Sequence, residues 1–241
     1  MPRLDALLAL NLGCSKTKAR EVIDHGRVRD AAGATLEDPR LDVPGARLPF
    51  AVLVDDEPRA LVAVAHVLQH KPVGCVTALA DARHPTAYAL LDEAPLFTEL
   101  RAVGRLDLES SGLLLWTSEG AWLQRLTHPK RAVPRTYHAA LARPFRAPPA
   151  EGLTLEDGHR PIITAMEPLT RAEAHPALVA PDDAASFATI TITGGAYHEV
   201  RRIFAALESH VLGLCRVSFG RLALPKDLPS GEWRTIDPTE V

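Results

Sequence analysis

The stretch Val103-Gly104-Arg105-Leu106-Asp107-Leu108-Glu109-Ser110-Ser111-Gly112-Leu113-Leu114-Leu115-Trp116-Thr117-Ser118-Glu119-Gly120 decides how the chain is read. Its apolar run Leu113 to Trp116, bounded by Gly112 and a Ser-Glu-Gly turn, predicts a buried strand, so Asp107 lies on the loop leading into it. A carboxylate there can reach a cleft while its backbone is held rigid. Arg105, two residues earlier, can neutralise it or bind a phosphate. Taken alone, Asp107 also fits an ordinary turn aspartate, the commoner role.

On the C-terminal side, Thr127-His128-Pro129-Lys130-Arg131-Ala132-Val133-Pro134-Arg135-Thr136-Tyr137-His138 crowds basic residues around one ring. That pattern suits a nucleobase with its phosphates, although a core tyrosine opening a strand fits as well. Ile190 to Leu207 reads as a strand, the pair Gly194-Gly195, and a helix with the apolar stripe Val200, Ile203, Phe204 and Leu207. On a helical wheel Arg202 falls opposite the stripe and Arg201 at its margin, so Arg201 is better placed to reach a site at the sheet.

On the N-terminal side, Leu4, Leu7 and Leu8 predict a short helix ending near Gly13. Ser15 is the N-cap of a second helix through His25, with Gly26 as its C-cap residue. Lys16, Lys18 and Arg20 lie on or beside the solvent side of that helix, and Arg27 follows its cap. Asp30 to Pro58 holds prolines, glycines and the acidic run Asp55-Asp56-Glu57, which predicts a domain boundary. The expected domains are residues 1–58 and 59–241. Ala60 to Leu68 reads as one buried strand, and Leu141 to Ala185 as an irregular connection with short strands such as Pro161 to Ala165.

The chain has 241 residues, 46% hydrophobic and 24% charged. Those values exclude wholesale disorder, collagen and coiled coil. Cys14, Cys75 and Cys215 are widely spaced among apolar neighbours and read as buried thiols. Net charge is only -3, yet Lys+Arg outnumber Asp+Glu by 6 to 4 in residues 1–30 and by 8 to 3 in residues 101–150. Positive charge confined in this way can offer one basic face to an anionic partner. There is no P-loop, dinucleotide fingerprint or Gly-x-Ser-x-Gly elbow, and His66 and His70 lack the carboxylates of a metal site. The expectation is a protein without cofactor or metal. With no long apolar window and no signal-like start, a cytoplasmic monomer away from membranes is expected.

In this order the segments resemble the bacterial ribosomal RNA pseudouridine synthases, in the branch typified by the small ribosomal subunit pseudouridine synthase A. Residues Arg3 to about Phe50, with Ser15-Lys16-Thr17-Lys18-Ala19-Arg20 and His25-Gly26-Arg27-Val28, look like that family's S4 RNA-binding domain. Lys71-Pro72-Val73-Gly74 with His84-Pro85-Thr86 is similar to the opening of the catalytic domain, and Gly104-Arg105-Leu106-Asp107 with Ser110-Ser111-Gly112-Leu113-Leu114 to its catalytic motif. Arg135-Thr136-Tyr137 looks like the motif whose tyrosine stacks on the target base, with arginine where lysine is usual. Tyr197-His198-Glu199-Val200-Arg201-Arg202 resembles the third motif. Ala196 stands where arginine is usual, Glu199 where glutamine is common, and His70 where asparagine is usual.

The resemblance implies an α+β chain in which the S4-type domain precedes a catalytic domain built on a mixed, mainly antiparallel sheet flanked by helices and loops. It implies an isomerase that converts a specific uridine of ribosomal RNA to pseudouridine, in 16S RNA at a site of the uridine 516 type. A 23S enzyme and a non-catalytic ribosome-assembly protein are the alternatives. Asp107 would be the single essential carboxylate, Arg201 its basic partner and Tyr137 the stacking ring. Arg105, Lys71, Arg135, Arg202, Arg3, Lys16, Lys18, Arg20 and Arg27 would contact the RNA. The partner would be ribosomal RNA or a subunit precursor.

Overall fold

The stripe of Leu4, Leu7 and Leu8 becomes the buried side of α1 (Leu4–Asn11) in a computed structural model that describes residues 1–241. Ser15 caps α2 (Lys16–Asp24), its Oγ accepting from the Lys18 backbone N–H at 3.2 Å. Gly26 follows at φ 66°, the left-handed conformation that ends helices cheaply. Strands β1 (Val28–Asp30), β2 (Phe50–Val54) and β3 (Glu57–Leu61) then form an antiparallel sheet in that order. Leu4, Leu8, Ile23, Val28, Val52 and Leu61 meet in its core. Met1–Ala65 with Glu93–Leu100 makes up this first compact unit.

The apolar stretch Ala60 to Leu68 is two strands rather than one. β3 ends at Leu61, and β4 (His66–Lys71) begins in the second unit, His66–Asp92 with Arg101–Val241. Leu61 packs into the first core and Leu68 into another, so a stretch of uniform composition serves two interiors. Pro58, where the sequence predicts the boundary, lies inside β3, and the units part after Ala65.

The second unit continues with β5 (Arg101–Val103), β6 (Ser110–Thr117), α3 (Gly120–Thr127), β7 (Arg135–Leu141), β8 (Ile163–Leu169) and β9 (Ser186–Ile192). It closes with α4 (Glu199–Ala206), β10 (Val211–Phe219), β11 (Leu222–Ala223) and β12 (Trp233–Thr235). The sheet runs β12-β4-β6-β10-β7-β9-β8, with β5 added to β6 and β11 to β10. Among these strands only β6 and β10 pair in parallel, and the other strand pairs are antiparallel. The architecture is α+β with a mixed sheet and few helices. No helix is long and apolar enough to cross a membrane.

β6, read from its Leu113–Trp116 run, is buried along its whole length beside β10. Gly112 makes that approach possible: a Cβ there would lie 2.3 Å from the Arg216 carbonyl oxygen, and its φ of +111° disfavours any other residue. One polar side chain that enters this interior is fully partnered. Gln69, wholly buried, accepts from Trp116 Nε1 at 2.9 Å and donates to the Ala87 carbonyl at 2.8 Å. Satisfied bonds of this kind contribute about 1 kcal/mol each, whereas an orphaned buried group costs about 1–3 kcal/mol. All three cysteines are free; Cys75 and Cys215 are buried, and Cys14 is half-buried. Between β7 and β8 the chain runs irregularly from 142 to 162, as its prolines foretell.

Candidate active site

Register in the sheet decides which side chains meet. Residues directly opposite one another on paired strands share a face, as do residues two apart on one strand. Leu214 lies opposite Ser110, Arg216 opposite Gly112 and Tyr137, Tyr137 opposite Ile190, and Arg135 opposite Ile192. Ser110, Leu214, Arg216, Tyr137, Arg135 and Ile192 therefore point the same way, into a cavity of about 780 Å³. The loop of Gly104 to Asp107 and the segment of Thr193 to Arg201 form its other walls.

Asp107 stands on the loop before β6, with its carboxylate 37% exposed to the cavity. Its backbone is fastened from below. Lys71, 0% exposed at the end of β4, donates to the carbonyls of Pro72 (2.8 Å), Asp107 (3.1 Å) and Ser110 (2.8 Å). Burial pulls the Lys71 ammonium down to about 8, against the charges of Cys75 and Asp107, which raise it; the Arg216 charge lowers it further. Lys71 is thus a positioning residue within the fold, and the expectation that it contacts RNA is corrected. The ammonium spends its three N–H donors on these carbonyls and does not line the cavity, so none is left for a phosphate. Arg105 is exposed at the cavity rim and makes no ion pair.

Tyr137, on β7, is 8% exposed and lines the cavity, so it is at once a core ring and a wall of the site. Arg135 is half-buried in the same wall. Its Nη1 donates to the Gly194 carbonyl, and its guanidinium lies 5.0 Å from the Phe219 ring centroid. It braces the double-glycine loop from inside, and burial holds its pKa below the ordinary arginine value. A Cβ at Gly194 would come within 2.4 Å of the Glu199 carboxylate, so a larger residue there would displace that side chain. Glu199, 3% exposed, accepts from the Ala196 N–H at 3.1 Å and from His159 Nε2 at 2.7 Å. The acid that stands where glutamine is common therefore has its own partners.

α4 buries Val200, Ile203, Phe204 and Leu207 as the stripe predicts, leaving Arg201 at the cavity and Arg202 outside it. Arg202 pairs with Asp157 and lies against the Tyr197 carbonyl. Arg201 does not form the expected ion pair with Asp107. Its guanidinium donates to the carbonyls of Val211 (3.1 Å) and Glu109 (3.3 Å), and the Glu109 carboxylate is 3.7 Å away. Glu109, two residues beyond Asp107, draws the fork to itself, so Arg201 holds the loop while Asp107 remains open. The Asp107 carboxylate instead has the His198 ring beside it, with Nε2 3.6 Å from Oδ1. A left-handed backbone (φ 50°) turns His198 to this position, and its ring stacks on Tyr197 at 3.9 Å between centroids.

The sequence does not single out His198, whose backbone conformation leaves no composition signal. Arg216 does carry a readable mark, a charge inside the otherwise apolar Leu214-Cys215-Arg216-Val217. Arg160 lines the rim, exposed and without an ion pair. In the first unit, Arg3 and Arg20 converge on the buried Asp5 at 2.8 Å each, Lys18 pairs with Glu21 at 3.0 Å, and Arg27 pairs with Asp55 at 2.5 Å. Lys16 is exposed and makes no ion pair. These cations remain 40–60% exposed, so pairing trims their field without burying it.

Comparison with known proteins converges on one family. A family model described as RNA pseudouridylate synthase matches residues 65–206. The ribosomal small subunit pseudouridine synthase A of Pasteurella multocida (strain Pm70) is 31% identical over 250 residues, covering 99% of this chain and 97% of that protein. Its counterpart in Escherichia coli (strain K12) is 33% identical over 253 residues, covering 99% and 98%. A crystal structure of a pseudouridylate synthase matches 100% of this chain and 98% of its own, at a TM-score of 0.60 and 30% identity.

Proposed function

The chain belongs to the RNA pseudouridylate synthase family, and from that premise we propose that it isomerises one uridine of small-subunit ribosomal RNA, a site of the 516 type in 16S RNA. The observation that carries the reading is that Asp107, rigidly seated and open, shares one cavity with the Tyr137 ring. The small-subunit target is supported by relatives of that name that match nearly the whole chain.

The isomerisation breaks the bond from N1 to C1′, turns the uracil and joins C5 to the same carbon; C5 loses its proton and N1 gains one, so the atoms balance. No electron acceptor and no group donor enters that balance. The uridine must first leave its stack, at a cost of a few kcal/mol that stacking on Tyr137 would offset by about 1–3 kcal/mol. Asp107 acts as the carboxylate at the sugar, either attacking carbon or removing a ribose proton to give a glycal. Lys71 and Arg201 fix the loop from beneath and beside it. Arg105 faces the RNA at the rim. Arg135 and Arg202 act through the walls they brace rather than through phosphate. The unit containing residues 1–58 is read as an S4-type RNA-binding module in which Arg3, Lys16, Lys18, Arg20 and Arg27 add electrostatic grip. The partner is ribosomal RNA or a subunit precursor, met in the cytoplasm by a monomer.

The test is a pseudouridine map of ribosomal RNA from cells with the protein, without it, and with Asp107→Asn. One small-subunit signal should vanish in the last two, while Asp107→Asn retains its affinity for RNA. A signal lost from 23S RNA would move the target, and a map unchanged by Asp107→Asn would reject the catalytic assignment.

A further inference from the structure

Four buried side-chain polar atoms of this chain make no hydrogen bond, and two of them, Arg216 Nη2 and Ser110 Oγ, belong to residues that line the cavity. Arg216 is 1% exposed. Its Nε donates to the Leu113 carbonyl at 2.7 Å, its guanidinium lies 5.4 Å from the Phe219 ring centroid, and no carboxylate pairs with it. A buried, unpaired cation is costly, and an unpartnered N–H on a residue that lines a cavity calls for an acceptor, which a bound substrate can supply. Lys71 is buried and Arg135 half-buried nearby, also without a carboxylate within 4 Å, and the Arg216 charge lowers the pKa of both, after burial as the main cause. Two desolvated cations, Lys71 and Arg216, therefore lie beneath an open carboxylate, with Arg135 half-buried in the wall.

Register supplies the direction. Arg216 sits directly opposite Tyr137 across the β10–β7 ladder. Residues so paired have Cβ atoms about 4.5–5.5 Å apart. A pyrimidine stacked on the Tyr137 ring brings its edge to the guanidinium, whereas its sugar is reached from the Asp107 loop.

Resting on the proposed reaction, we infer that Arg216 is a further catalytic residue whose Nη2–H donates to a carbonyl oxygen of the uracil as it departs from the ribose. When the N1–C1′ bond breaks, its electron pair stays on N1 and spreads onto the ring oxygens, giving a uracil anion; no proton passes to or from Arg216. A preorganised donor in a desolvated site, aimed where charge develops, stabilises that state more than the ground state. Ser110 Oγ, the second unpartnered atom, belongs to the same cavity lining. A donor at the 4-oxygen would also favour uracil over cytosine, which presents an amino group there, whereas one at the 2-oxygen would not discriminate.

The experiment uses the full-length protein and a small-subunit RNA transcript carrying uridine, 2-thiouridine or 4-thiouridine at the mapped position, since sulfur accepts hydrogen bonds poorly. Arg216→Met is expected to slow single-turnover conversion by about 100- to 1,000-fold with RNA affinity retained, the range for loss of one such donor. One thio substitution should slow the wild type but add no further loss in Arg216→Met. Because that variant also frees the Leu113 carbonyl, the comparison is repeated in Arg216→Lys, which keeps the charge and should convert faster than Arg216→Met. Wild-type rates in Arg216→Met, or thio penalties undiminished in both variants, overturn the inference. Wild-type protein that leaves unmodified transcript unconverted overturns the proposed function itself, and this inference with it.

Discussion

Raising the pH should stabilise this fold through Lys71. The ammonium is wholly buried, and its pKa falls from the ordinary lysine value of 10.5 to about 8. Below about pH 8 folded and unfolded chains both hold the proton, and the folded state carries the whole cost of burying the charge. Between the two values the unfolded chain binds more protons, so the free energy of unfolding rises with pH; above 10.5 the cost is gone. At ~1.4 kcal/mol per unit, the interval corresponds to about 3 kcal/mol. The assay is urea unfolding of wild type and Lys71→Met across this window, with the difference between the two proteins as the readout, so that other groups cancel. Wild type should gain about 3 kcal/mol relative to the variant. Parallel curves would refute the reasoning. The same variant separates positioning from RNA contact: the salt dependence of RNA binding should be unchanged, because a phosphate-contacting lysine would alter the slope by about one unit and a buried one should not.

Three further outcomes follow from single residues. Gly112→Ala must place a methyl 2.3 Å from the Arg216 carbonyl oxygen in a backbone conformation that favours glycine, so thermal melts should show a loss of at least about 1–3 kcal/mol; an unaltered melting temperature would contradict the close packing of β6 on β10. Burial pushes the Asp5 carboxyl up, but the Arg20 hydrogen bond and the Arg3 and Arg20 charges outweigh it, and its pKa lies below the ordinary aspartate value. Its contribution is present in full above the unfolded value of about 3.9 and lost as pH falls through the lower folded one, so Asp5→Ala should flatten the acid limb of the stability profile. Tyr137→Phe should keep RNA affinity, whereas Tyr137→Ala should weaken it by about 1–3 kcal/mol in a filter-binding titration, and equal affinities in the two would argue against a stacked base.

What the sequence reveals most reliably here is local. Ser15 and Gly26 bracket α2 because a cap hydroxyl and a left-handed glycine act within a few residues of the chain. The stripe on α4 reads correctly for the same reason, as does the loop position of Asp107 before β6. The failures lie where two distant segments decide the outcome. Ala60 to Leu68 is uniformly apolar, and nothing in its composition says that its two ends enter different cores. Arg201 sits where the helical wheel puts it, but the wheel is blind to Glu109, whose carbonyl and carboxylate take its guanidinium.

Lys71 shows why charged side chains mislead most. Lysine is a surface residue by default because desolvating an ammonium is expensive, and a lysine in an RNA-binding chain invites reading as a phosphate contact. That default fails only when several acceptors are gathered in one place. Here the carbonyls of Asp107 and Ser110 come from 36 and 39 residues away along the chain. Their convergence is a property of the β4–β6 ladder, which pairs Lys71 with Gly112. The same ladder logic sets Arg216 opposite Tyr137. In both places a cation is buried by strand register rather than by local pattern, and both lie within one strand of the loop that carries Asp107. A fold selected for stability alone would replace such unpaired charges with apolar residues of like volume, often at no loss. Two desolvated cations retained beneath one open carboxylate therefore bear on the chemistry at that carboxylate.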